Sequence, residues 1–204
     1  MPAAGSLTNV AGEPLSPDGV RLLEYLRSRA EALTPVQLRD RVRAAMKELD
    51  AALAGLGEPE ARRQLIPGEW TIAQVVDHVA QTQIRAADEL RHLLAGRRPP
   101  APPVYDALTS GAVHWARWPE LVDGLQSANA EFDAVLSTTV GAPAPPGLTT
   151  ARSVLVVNRT AGEGPVSPEI FVVELGWKAY ALVQRLHCLD HRTQVRNLRA
   201  ALAP

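Results

Sequence analysis

Two histidines four residues apart, His187 and His191, stand in the last helical stretch of the chain. Positions i and i+4 lie on one helical face, a turn apart, so both imidazoles can reach one cation. Surface helices show this spacing by chance, so the pair alone is read equally well as two unrelated histidines. A third ligand has to come from another element. His78 is the leading candidate, because it lies about two turns into an earlier helical stretch, at the edge of its apolar stripe. Helical bundles build metal sites in this way, from side chains on facing helices. Three imidazoles suit zinc, and also nickel, iron or copper. Three protein ligands leave a position for water or substrate, which is the catalytic rather than the structural pattern.

The other reactive side chains carry less. His92 follows His78 by fourteen residues, about 21 Å along a helix axis, so the two cannot share an ion. His114, in a loop between Gly111 and Trp115, is a candidate fourth ligand or, together with Trp115, a candidate substrate contact. Asp190 and Gln194 lie near the histidine face and are candidates for orienting the imidazoles. Cys188 points away from His187 around the helix and reads as a small buried hydrophobe. No Gly-rich phosphate loop and no GxSxG elbow is present. No catalytic acid, base or nucleophile can be assigned.

The elements that must position these residues are marked by start and stop signals. Ser16-Pro17 opens a short leading helix with the stripe Val20, Leu23, Leu26, Ala30 and Leu33. Thr34-Pro35-Val36-Gln37 and Thr71-Ile72-Ala73-Gln74 both have the capping-box form. The first opens a helix to about Gly57. The second opens one whose face is Ile72, Val75, Val76, Val79, Ala86, Leu90 and Leu93, stopping at Gly96. The stretches 58–70 and 97–103 are rich in Pro and read as loops. Pro119 sits just inside another helix, with Leu121, Leu125, Ala128, Phe132, Val135 and Leu136 at helical spacing. Ser153–Val157 and Ile170–Val173 are β-branched runs around a Gly/Pro loop and pair as a candidate hairpin. The last helix runs from about Leu175 to Leu202. Residues 1–15 read as a flexible arm and 16–204 as a single domain.

Against this frame of helices, Gly68-Glu69-Trp70-Thr71-Ile72-Ala73-Gln74-Val75-Val76-Asp77-His78-Val79-Ala80 resembles the signature segment of the DinB/YfiT-like superfamily. There a Trp precedes the helix start and a His about two turns later is a metal ligand. His187-x-x-x-His191-x-x-Gln194 resembles the closing motif of the same superfamily. The resemblance spans roughly Thr34 to Leu202, with both motifs in the family's order. It implies an all-α, antiparallel four-helix bundle, here with an extra N-terminal helix and a small hairpin before the last helix. It also implies a divalent metal ion held by His78, His187 and His191, zinc first and nickel or iron next, and frequent homodimers. Some members are thiol-dependent S-transferases or isomerases that use bacillithiol, mycothiol or glutathione. The rival readings are a metal-dependent hydrolase using metal-bound water and a bundle that holds a metal or a partner without turnover.

Composition narrows the setting. The chain has 204 residues, enough for one domain with a real core. A net charge of −1 and dispersed arginines argue against a nucleic-acid or anionic-membrane surface. No window approaches the roughly 20 apolar residues of a membrane span. A single cysteine, and an N-terminus unlike a signal peptide, lead to the expectation of a soluble cytoplasmic protein with a small-molecule substrate.

Overall fold

The structure, a computed structural model, describes residues 8–143, 149–158 and 168–202. It contains α1 (Pro17–Ala32), α2 (Pro35–Leu53), α3 (Glu58–Arg62), α4 (Ile72–Leu94), α5 (Trp118–Ser137), β1 (Ala151–Asn158), β2 (Pro168–Leu175) and α6 (Trp177–Ala200), in that order. A single 3-10 turn, Ala112–His114, precedes α5. The chain is thus mostly helical, a bundle of α2, α4, α5 and α6 with an additional leading helix and one small antiparallel sheet before the last helix.

The helix starts follow from local chemistry. Thr34 and Thr71 each accept the N–H three residues on, from Gln37 and Gln74, and each glutamine side chain returns a bond to the cap's own N–H. Ser16 caps α1 through Gly19 N–H. Within the loop expected from Glu58 to Trp70, residues 58–62 form the helical turn α3. Pro59 does not prevent it. In the first turn its missing N–H would have had no partner in any case, and Glu60 accepts the Gly57 N–H. Gly96, with φ +69°, supplies the left-handed residue that ends α4.

Contacts between the helices give their directions. Lys178 donates to Leu33 O and Arg199 to Ala52 O, so α2 and α6 run the same way. Arg39 pairs with Asp133, and Trp118 Nε1–H donates to Leu56 O, so α5 opposes α2. His78 meets His187 while Tyr180 meets Glu89, so α4 opposes α6. Two helices therefore point each way. The core falls into two apolar halves. One is built on Leu38, Val42, Leu90, Phe132 and Leu182. The other is built on Leu49, Ile72, Val76, Leu125 and Val195. Each fully buried large side chain contributes about 1.5–3 kcal/mol.

β1 and β2 pair from Ala151↔Leu175 to Asn158↔Pro168. Their alternation buries Phe171, Val173 and Leu175 on the bundle side. The connecting Gly/Pro stretch, 159–167, lies outside the described residues, as do 1–7 of the expected arm. From Thr8 onward the arm is fixed. Asn9 Oδ1 accepts the N–H groups of Ala11 and Glu13, and Val10 N–H donates to Ile170 O in β2 at 2.8 Å. The buried Glu169 carboxylate accepts both Ser16 N–H and Ser16 Oγ–H, which places an anion at the positive N-terminus of α1. No helix among the described residues is long and apolar enough to cross a membrane.

Candidate metal centre

α4 and α6 bring His78, His187 and His191 to one point. His187 Nε2 lies 3.0 Å from His78 Nε2 and 3.1 Å from His191 Nε2. The ring centroids are 4.4–5.0 Å apart, each pair edge to face. All three side chains are half-buried where the two helices cross.

The outward nitrogens fix the tautomers of two rings. His78 Nδ1 faces Leu108 O at 2.9 Å and His191 Nδ1 faces Gln194 Oε1 at 2.8 Å. Both oxygens can only accept, so each Nδ1 carries the proton and each Nε2 presents a lone pair to the centre. Lone pairs 3.0–3.1 Å apart repel unless a cation or a shared proton lies between them. Each of these separations lets one ion reach both nitrogens at the usual 2.0–2.1 Å of a zinc–imidazole bond, and all three nitrogens lie within 4.8 Å of one another. Proton charge is disfavoured there. Burial first, then the neighbouring imidazoles, hold His187 well below the usual histidine value of 6.5. The same causes bring His191 down to about 4, opposed by its bond to Gln194. Burial also lowers His78, against the Leu108 bond and the nearby Asp77 charge. Neutral imidazoles are the ligand-competent form, so the donor set fits a divalent ion.

The groups that orient His78 are tied down in turn. Buried Asp77, its neighbour on α4, accepts Ser110 N–H at 3.0 Å and Ser110 Oγ–H at 2.5 Å. These bonds hold the loop that carries Leu108 O against the ring. Arg62 of α3 anchors the following turn by donating to Val113 O and Ala116 O. Trp70 packs against two of the rings, edge-on to His78 at 4.9 Å and stacked on His191 at 6.3 Å. Sequence reasoning missed Asp77, Ser110 and Leu108. The one available signal was an Asp beside His78 on an otherwise apolar helix face.

The other candidate residues are placed as follows. Gln194 holds His191, whereas Asp190 is exposed and bonds to neither histidine. His114 and Trp115 are exposed on the 3-10 turn, Trp115 by 78%, beyond the loop that orients His78. Cys188 is fully buried, accepts from Gln83 Nε2 at 3.1 Å, and is pushed up to about 12, chiefly by burial. Among the described residues, no Cys, Asp, Glu or further His joins the three-histidine group.

The sequence pattern of the DinB superfamily matches residues 19–159, well over half of the chain, and the chain belongs to that superfamily. The matched stretch contains His78 and ends before α6, so the fold itself is what adds His187 and His191 to the group. No curated protein and no solved structure matches.

Proposed function

We propose that His78, His187 and His191 hold one divalent ion, zinc before nickel or iron, in a metal-dependent enzyme that acts with a low-molecular-weight thiol. The activity would be that of an S-transferase or isomerase. The observation that carries this reading is the convergence of three neutral imidazoles, with no fourth protein donor among the described residues. A set of three ligands leaves room for an exogenous one. When bound, such an ion lowers the pKa of a coordinated thiol or water towards neutrality, so no protein base is required to generate the nucleophile.

The chain's own residues do the rest. Leu108 O and Gln194 keep two Nε2 lone pairs aimed inward. Trp70 keeps water off one side of the rings. The exposed His114 and Trp115 offer contacts for the polar body of the thiol. A homodimer in the cytoplasm completes the proposal.

The test is to load the chain with cobalt and titrate it with glutathione and other small thiols. A sulfur-to-cobalt charge-transfer band, and faster conjugation of an electrophile, are expected. If the spectrum stays unchanged while esters or amides turn over, a hydrolase replaces this reading. If neither class reacts and the ion resists chelators, the site is structural.

A further inference from the structure

His187 is the odd member of the triad. His78 and His191 each donate Nδ1–H to an oxygen, while His187 Nδ1 is buried without a partner. The same level of the bundle carries more such atoms. Gln83 Oε1 on α4, both amide atoms of Asn129 on α5 and Asp50 Oδ1 on α2 are all cut off from solvent and unbonded. Gln83 is fully buried and Asn129 nearly so.

Gln83 and Asn129 fall within the break between the two apolar halves of the core, and Asp50 and His187 stand at its edge. On α4 one half ends at Ala80 and the other starts at Ala86, with Gln83 between them. On α5 the break falls between Ala128 and Phe132, at Asn129. On α6 it falls between Cys188 and Val195, which takes in His191 and begins one residue after His187. On α2 the break falls between Met46 and Leu49, and Asp50, the residue after Leu49, is close enough to influence Cys188 electrostatically. α4 and α5 thus bring Gln83 and Asn129 to one polar layer, Asp50 and His187 stand one residue outside it on α2 and α6, and Gln83 is tied to Cys188 Sγ, the neighbour of His187 in sequence.

An unmade buried hydrogen bond costs about 1–3 kcal/mol. Five of them would consume most of a typical domain's 5–15 kcal/mol stability. None of these atoms bonds another. Internal water, which makes about three bonds to such groups, resolves the conflict. We infer that this layer holds internal water between Asp50, Gln83 and Asn129, and that this water takes the Nδ1–H of His187. Gln83 and Asp50 are then positioning residues for the third imidazole. This inference rests on the metal reading proposed above, because Nδ1 carries the proton only when Nε2 is committed to the centre.

The experiment uses the full chain loaded with zinc. Zinc affinity is measured by competition with a chromophoric chelator, and the histidine rings are observed by NMR after ¹⁵N labelling. In the wild type, the His187 Nδ1–H should give a slowly exchanging signal with a cross-peak to water. Gln83→Leu and Asp50→Leu should lose that cross-peak and weaken zinc about 10–100-fold, the usual effect of removing a ligand's orienting partner. Asp50→Asn, which keeps an acceptor, should restore affinity to within about threefold. Leucine variants that bind zinc like the wild type and melt higher without metal would overturn the inference, showing the layer to be a packing fault. If those variants do not fold, the wild-type spectrum decides alone: a His187 Nδ1–H without a water cross-peak overturns it. A wild-type chain that takes up no zinc overturns this inference and the metal reading together, whereas zinc uptake that is indifferent to Gln83 and Asp50 overturns this one only.

Discussion

Lowering the pH should unfold the metal-free chain earlier than its carboxylates alone would. Burial and the adjacent His78 bring His191 from 6.5 down to about 4. Between those values the unfolded chain binds a proton at this histidine and the folded chain does not. Stability therefore rises with pH across the window and is lost as pH falls through it. At about 1.36 kcal/mol per tenfold change in proton binding, the full gap is worth about 3 kcal/mol, of which about 2 kcal/mol is gone by pH 5. His187, shifted the same way, adds to the loss. The assay is urea unfolding of chelator-treated protein at half-unit steps from pH 7.5 to 5, above the range where ordinary carboxylates titrate. His191→Gln, which cannot titrate, should flatten part of the slope. The reasoning is refuted if wild-type stability is level between pH 6.5 and 5, or if it falls equally in His191→Gln.

Three further outcomes follow from the geometry. Protein purified without nickel resin should contain about one divalent ion per chain by elemental analysis, and His78→Ala should contain almost none. Asp77→Ala frees the loop at Ser110 and with it Leu108 O, so zinc should bind about 10–100-fold more weakly and protease should cut near residues 104–111 sooner. Phe132→Ala, in the half of the core built with Leu90 and Leu182 and at 0% exposure, should cost about 3–5 kcal/mol in urea unfolding while leaving zinc stoichiometry unchanged.

What could be read before the fold was known depended on range. The capping boxes at Thr34 and Thr71 are complete within four residues, so both helix starts were legible. The His187–His191 pair was legible for the same reason, since i, i+4 spacing sets a face without help from tertiary structure. His78 was legible only as a position on an apolar edge. The acceptor that orients it is a backbone carbonyl thirty residues away, and a carbonyl has no residue-type signature. Pro59 was read as a helix breaker because its effect depends on where in a turn it falls. The parallel course of α2 and α6 depends on how two long connections travel, which periodicity does not encode. The polar layer left one trace, the gap at Gln83 in the stripe between Val79 and Ala86, and a gap does not say which residues on other helices will meet it.

The parallel pairing of α2 with α6 also sets an order in time. Their contacts join residues about 145 positions apart, and Ser16 waits for Glu169, 153 positions later. As the chain emerges during synthesis, α1, α2, α4 and α5 are all available before the helix that completes them. Closing such distant pairs is a late and comparatively slow step. His78 therefore spends that interval without the other two imidazoles, which arrive with the final helix. An ion that recognises only the closed triad acts after the bundle has formed, as a latch: it slows opening and leaves the rate of assembly nearly unchanged.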